Sequence, residues 1–210
     1  MIQNPWHIER CRARDGGCHN ALADLSVLTQ ELEAVIGESG WGERIAAGGA
    51  GRKPRPHHLL RIALAACPNA CSKPQIRDLG IIASVRPNQV LASCTGCGLC
   101  VKVCREAAID LKNNVAVVDS ERCVGCGACG AVCPPGAMDM GPLQFRILVG
   151  GRLGRHPAWA VEMPATVSRE QLVPTVARLL EITLTEALEQ ETFGETARRL
   201  GTALWRRVRA

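Results

Sequence analysis

Two cysteine runs with the same spacing constrain this chain more than any other feature. The pattern C-x2-C-x2-C-x3-C occurs at Cys94, Cys97, Cys100 and Cys104, and again at Cys123, Cys126, Cys129 and Cys133. Each run is predicted to be followed by a short helix and a short strand, and a strand at residues 115–118 leads into the second run. A repeated unit of this kind indicates an autonomous module. We place its boundaries at residues 93–140.

The cellular compartment decides how the twelve cysteines are interpreted. The N-terminus MIQNPWHIERC lacks the charged start and apolar run of a signal peptide, and no window is apolar and long enough for a membrane span. We therefore expect a cytoplasmic protein, in which a reducing environment keeps thiols free of disulfides. Metal ligation is the preferred interpretation.

The spacing of each run suits an iron–sulfur cube. Three thiolates two residues apart can surround one 4Fe-4S cluster, while the fourth is directed towards a neighbouring cluster. The two runs resemble those of bacterial two-cluster ferredoxins. The resemblance implies one cluster held by Cys94, Cys97, Cys100 and Cys133, and a second held by Cys123, Cys126, Cys129 and Cys104. Two zinc sites or structural thiols are the alternative.

Four cysteines remain outside the two runs. They are Cys11, Cys18, Cys67 and Cys71. Four is the number that one more 4Fe-4S cluster requires, and they form two local pairs that the fold would have to bring together. We predict a third cluster there, with Asn69 and Ser72 donating hydrogen bonds around it.

The segments around these four cysteines resemble a known family. The stretches CRARDGGCHNAL, ACPNACSKPQIRDLGII and VGGRLGRHP are similar to the sirohaem and 4Fe-4S half of dissimilatory-type sulfite and nitrite reductases. In that family the position of Cys71 bridges the cluster to the sirohaem iron. The spacing of Cys11 and Cys18 is one residue longer than is usual there, and Ala66 stands where the signature usually has glycine.

The resemblance implies an α+β fold: an α/β sulfite-reductase-like domain, made of residues 1–92 and 141–210, with the two-cluster module inserted. Hydrophobic periodicity predicts a helix from Asn20 to Glu38. Dense apolar runs predict buried strands at residues 59–67 and 79–85, and LQFRILVGG at 143–151 predicts a strand that runs into a Gly-Gly turn. Capping signals predict a helix from Ser168 to about Glu189, and a last helix from Thr192 to about Arg207.

We expect an electron-transfer protein that relays single electrons to or from a larger anaerobic oxidoreductase. The family's enzymes have a preceding half that supplies sirohaem contacts, and we expect none here. Sirohaem is therefore not favoured, and no catalytic residue is assigned. The alternative is a small sirohaem-dependent sulfite or nitrite reductase, or its sirohaem-binding subunit, working as a homo-oligomer or with another subunit.

The net charge of +5 and the basic stretches at 52–58 and 206–210 could suggest a nucleic-acid partner. Three clusters with their thiolates would bring the charge to about −1, however. Aromatic residues make up only 3% of the chain, so few side chains could stack on bases. We expect no nucleic-acid partner. Five basic residues near the third cysteine group could meet an anion; they are Arg10, Arg12, Arg14, Lys73 and Arg77.

Overall fold

A five-stranded mixed sheet forms the centre of the computed structural model, which describes residues 5–15, 17–47, 59–189 and 191–209. In chain order its strands are β1 (Trp6–Arg10), β2 (Leu60–Ala65), β3 (Leu79–Ser84), β8 (Gln144–Val149) and β9 (Val161–Glu162). They lie side by side in that same order. The first three strands are parallel, whereas β8 and β9 each run antiparallel to the preceding strand.

The middle strands are apolar because both of their faces are covered. Every residue of β3 is buried, and so are all residues of β2 except Arg61. Continuous apolar runs of this kind are typical of strands at the centre of a sheet that is packed on both sides. The predictions of strands at 59–67, 79–85 and 143–151 are confirmed, each with shorter bounds.

Five α-helices of the described residues complete this part of the structure. They are α1 (Ser26–Glu38), α2 (Trp41–Ala47), α5 (Arg169–Glu186), α6 (Phe193–Leu200) and α7 (Thr202–Arg209). The side chains of Leu28, Leu32 and Ile36 point from α1 into the core that it shares with α5. Both predicted capping boxes are present, Ser168 with Gln171 and Thr192 with Glu195.

The helices differ from the predictions at their ends. Helix α1 begins at Ser26, not Asn20, and the backbone N–H of Ser26 donates to the carboxylate of Asp24 over 2.7 Å. The predicted last helix is divided into α6 and α7 because Gly201 takes φ +53° and ψ −132°, which no helix can contain. The sequence did not predict β1, α2, β9 or the strand β4 (Pro87–Val90).

Residues 87–140, called the cysteine-rich segment here because they contain both cysteine runs, form two small antiparallel sheets and two short helices. Strand β4 pairs with β7 (Met138–Met140), and β5 (Ile109–Lys112) pairs with β6 (Val115–Val118). The helices α3 (Leu99–Val103) and α4 (Ala128–Ala131) lie within the cysteine runs, not after them as predicted. The third cysteine of each run therefore lies in the first turn of a helix, two residues after a glycine of positive φ.

No helix of the described segments is sufficiently long and apolar to pass through a bilayer. The basic stretch at residues 52–58 lies outside the described residues, as does the side chain of Arg14.

Candidate metal centre

Parallel strands bring the first members of the two leftover cysteine pairs together. Cys11 directly follows β1, and Cys67 follows β2 after one residue. Since β1 and β2 are parallel neighbours, their carboxyl ends meet at one edge of the sheet. The backbone N–H of Cys11 donates to the carbonyl of Leu64 (3.1 Å), and the N–H of Ala66 donates to the Cys11 sulfur (3.4 Å). Cys11 and Cys67, 56 positions apart in the chain, thus lie at one edge.

Cys18 reaches the same place through a turn. The backbone N–H of Ala21 donates to the carbonyl of Cys18 (3.0 Å), and the next N–H, that of Leu22, donates to the carbonyl of Ala66 (2.8 Å). Burial raises the pKa of the Cys67 thiol, and the nearby thiols of Cys11, Cys18 and Cys71 raise it further. Cys11, Cys18 and Cys71 therefore all lie near Cys67.

Cys71 occupies the exposed side of the group, whereas Cys67 is buried. The Asn69 amide Nδ2 donates to the Cys71 sulfur over 3.0 Å, as expected of a residue that supports a thiolate. Ser72 behaves differently from the expectation. Its hydroxyl donates to the carbonyl of Leu64 (2.8 Å), because the turn after Cys71 brings it back over β2.

The first cysteine run borders a cavity. Its walls include Cys94, Cys97 and Cys100 and, from the second run, Cys133, together with apolar side chains. Burial raises the pKa of the Cys100 thiol, with further contributions from the nearby Cys94 and Cys133. Backbone N–H groups of Ala116 and Gly96 lower the pKa of Cys94, since they donate to its sulfur. Donors of this kind are what a sulfur-ligated cluster needs.

The second run is arranged similarly. Burial raises the pKa of Cys129 to about 11, and the neighbouring thiols of Cys123 and Cys126 contribute in the same direction. Cys104 packs in the same small core as Cys129, and the backbone N–H of Ala108 donates to its sulfur over 3.3 Å. Gly125 and Gly127 have φ of +76° and +73°, so the chain turns tightly between the cysteines.

Across the described segments, three or more His, Cys, Asp or Glu side chains nowhere gather in a group that could hold a metal ion. A single ion binds its ligands within about 2.3 Å of one point. A four-iron cube is larger, and its thiolates stand further apart. For this cofactor the relevant geometry is a cavity surrounded by sulfurs, as the first run provides.

Near the third cysteine group, Arg77 and Asp78 each pair with a residue of opposite charge. Arg77 forms an ion pair with Glu9, so part of its charge is already compensated. The neighbouring Asp78 is buried, accepts hydrogen bonds from the backbone and side chain of Arg61, and has a pKa raised by that burial. The pair of Arg61 and Asp78 connects β2, which leads to Cys67, with the start of β3.

The comparison with protein families gives a match over nearly the whole chain. The nitrite and sulphite reductase 4Fe-4S domain family matches residues 9–208. The chain belongs to this family. This match confirms the resemblance found in the cysteine-containing stretches. The matched family is a 4Fe-4S domain family, so the match also supports an iron–sulfur site.

Curated relatives are sulfite reductases or parts of them. The coenzyme F420-dependent sulfite reductase of Methanocaldococcus jannaschii is 34% identical over 188 residues, which cover 89% of this chain and 28% of that protein. One of the subunits of the anaerobic sulfite reductase of Salmonella typhimurium is 33% identical over 103 residues, or 48% of this chain and 26% of the relative. The matched region thus amounts to about a quarter of each relative's length.

Solved structures share the fold. Dissimilatory sulfite reductase I matches 97% of this chain and 52% of its own, with a TM-score of 0.61 and 15% identity. The NirA protein of Mycobacterium tuberculosis matches 96% of this chain and 27% of its own, with a TM-score of 0.55 and 15% identity. The predicted α+β fold class is confirmed by these similarities.

Proposed function

We propose that this chain is an electron-transfer unit of a sulfite reductase-type system and carries three 4Fe-4S clusters. The proposed ligands are Cys94, Cys97, Cys100 and Cys133 for the first cluster; Cys123, Cys126, Cys129 and Cys104 for the second; and Cys11, Cys18, Cys67 and Cys71 for the third. Such clusters supply reversible one-electron chemistry when bound.

One observation carries the proposal. The four cysteines that the two runs leave over lie near the carboxyl ends of β1 and β2, and Cys67 among them is buried. Burying a thiol beside other thiols, without a disulfide or a metal, raises the free energy of its charged form. A cationic cluster would compensate for that cost, since metal binding favours the thiolate.

The protein's own groups would hold and shield the clusters. Backbone N–H groups at Ala66, Ala108 and Ala116 donate to cysteine sulfurs. Small residues and apolar side chains line the cavity of the first run and limit its contact with water. We infer a discontinuous domain, residues 1–92 and 141–210, with the module 93–140 inserted. The working compartment would be the cytoplasm, and the partner a larger anaerobic oxidoreductase.

Exposure of Cys71 favours a second candidate function. Cys71 is exposed while Cys67 is buried, so a further cofactor could reach Cys71 from the surface. The alternative is a sirohaem-binding chain that reduces sulfite or nitrite, within a homo-oligomer or beside another subunit. In that case Cys71 would help to hold the sirohaem, which would supply the site of sulfite or nitrite reduction, and Asn69 would keep the Cys71 sulfur in position.

The experiment compares Cys71→Ser with Cys126→Ser, two exposed cysteines assigned to different clusters. Iron, sulfide and sulfite reduction with an artificial donor are measured anaerobically on each variant and on the wild type. If the carrier proposal is correct, each variant loses about four irons and the wild type does not reduce sulfite. If the wild type reduces sulfite and Cys71→Ser abolishes turnover, the sirohaem alternative is correct.

A further inference from the structure

The second cysteine run joins the main sheet directly. The backbone N–H of Val85, the residue after β3, donates to the carbonyl of Gly125 over 2.8 Å, and Val85 forms a parallel bridge with Cys126. A Cβ placed on Gly125 would lie only 3.1 Å from the Cβ of Ser84 and 3.0 Å from Cγ of Arg86. The second run therefore packs tightly against the residues at the carboxyl end of β3.

Leu22 contacts both cysteine sites. Its backbone N–H donates to the carbonyl of Ala66, directly before Cys67. Its side chain reaches the second run, because a Cβ built on Gly127 would be 3.3 Å from Cδ2 of Leu22. Gly127 lies between Cys126 and Cys129. One residue thus links the backbone beside the third cysteine group with the loop of the second run.

The first run packs elsewhere. A Cβ on Gly96 would collide with the carbonyl oxygen of Asn114 at 2.5 Å, and one on Gly98 would lie 3.8 Å from Cδ1 of Leu111. Both partners belong to the β5–β6 hairpin of the cysteine-rich segment itself. These contacts place the first run against its own hairpin, in contrast to the second run.

We propose that Leu22 is a positioning residue that holds the loop of the second run against the third cysteine group and so sets the spacing of these two sites. The inference rests on the proposed function for its cofactors, but the contact belongs to the chain alone. At this partly buried contact a Cβ on Gly127 would lie 3.3 Å from Leu22, so removal of the leucine side chain leaves the loop without the neighbour that packs against it. The second site, not the first, is then the neighbour of the third.

The test compares Leu22→Ala with Leu111→Ala. Each removes a leucine side chain that lies beside a glycine between two cysteines, the first at Gly127 and the second at Gly98. Amide hydrogen exchange of residues 123–130 and 94–101 reports on each loop. We expect Leu22→Ala to accelerate exchange in 123–130 about fivefold and to leave 94–101 unchanged, and Leu111→Ala to do the reverse.

Electron paramagnetic resonance of the same reduced samples reports on the spacing. We expect Leu22→Ala to change the power saturation of the third-site signal at unchanged iron content, and Leu111→Ala to leave it as in the wild type. The proposal is overturned if exchange in 123–130 is unaltered by Leu22→Ala, or if both variants change the third-site signal equally. A wild-type iron content well below twelve would contradict the three-cluster proposal, while the exchange result would still decide the role of Leu22.

Discussion

The amide of Asn69 donates to the sulfur of Cys71 over 3.0 Å, at the exposed edge of the third cysteine group. A donor at a ligating sulfur stabilises the reduced, more negative state of a cluster. Asn69→Ala is therefore expected to lower the reduction potential of the third site by an amount on the order of tens of millivolts, with iron content unchanged. Redox titration followed by paramagnetic resonance measures the potential. Asn88→Ala, at an exposed amide that contacts Asp139, is the control and should change no potential.

Gly96, one of two left-handed glycines in the first run, offers a second prediction. Gly96 has φ +66°, and a Cβ there would lie 2.5 Å from the carbonyl oxygen of Asn114. Gly96→Ala should therefore displace the hairpin or the loop, and the purified protein should lack about four irons. Iron and sulfide analysis of the anaerobically purified variant measures this loss.

Gly136→Ala separates crowding from backbone strain. Gly136 has nearly the same dihedral, φ +65°, but a Cβ there would meet nothing within 4 Å. We expect a decrease in stability of about 1 kcal/mol with the full iron content retained. Equal iron loss in the two variants would show that the contact with Asn114 does not matter.

The helix that covers the sheet beside the cysteines provides a test of the core. Leu32 of α1 is 0% exposed, whereas Val27 of the same helix is 56% exposed. Leu32→Ala should lower the free energy of unfolding by about 3 kcal/mol, because it leaves a cavity in a packed core. Val27→Ala should change it by less than about 0.5 kcal/mol. Denaturant unfolding of both variants under anaerobic conditions provides the comparison.

The capping box of α5 yields a smaller effect. The hydroxyl of Ser168 accepts from the backbone N–H of Gln171 (3.4 Å), and the Gln171 side chain accepts from the N–H of Ser168 (3.1 Å). Ser168→Ala removes the hydroxyl and should lower the unfolding free energy by about 1 kcal/mol. Ser168→Thr keeps a hydroxyl and should retain most of the stability. A thermal melt that does not distinguish the two variants would contradict this role of the cap.

Local patterns predicted much of the fold. The strands β2 and β3 are dense apolar runs, and both capping boxes are short motifs with a mechanism of their own. Strand β1 was missed because its five residues WHIER contain only two apolar positions, Trp6 and Ile8, which is too short a pattern to predict a strand. Its place in the sheet depends on pairing with β2, more than 50 residues away, which no local pattern reveals.

The site divides in the same way. The regular spacing of the eight cysteines in the two runs predicts that they bind iron–sulfur clusters, since that pattern has few other uses. The grouping of the other four was inferred by counting, and only the parallel pairing of β1 and β2 explains how Cys11 comes to lie beside Cys67. The link through Leu22 could not be predicted. A leucine at a helical spacing is interpreted as a core residue, and the chain must fold before Leu22 lies beside Gly127.

The most direct test of the three-cluster proposal is an anaerobic visible spectrum, with iron, acid-labile sulfide and extractable tetrapyrrole quantified on the same sample. The proposal predicts about twelve irons and about twelve sulfides per chain, a broad brown absorption and no tetrapyrrole. About eight irons, or sharp haem-type bands with about one sirohaem per chain, would contradict it.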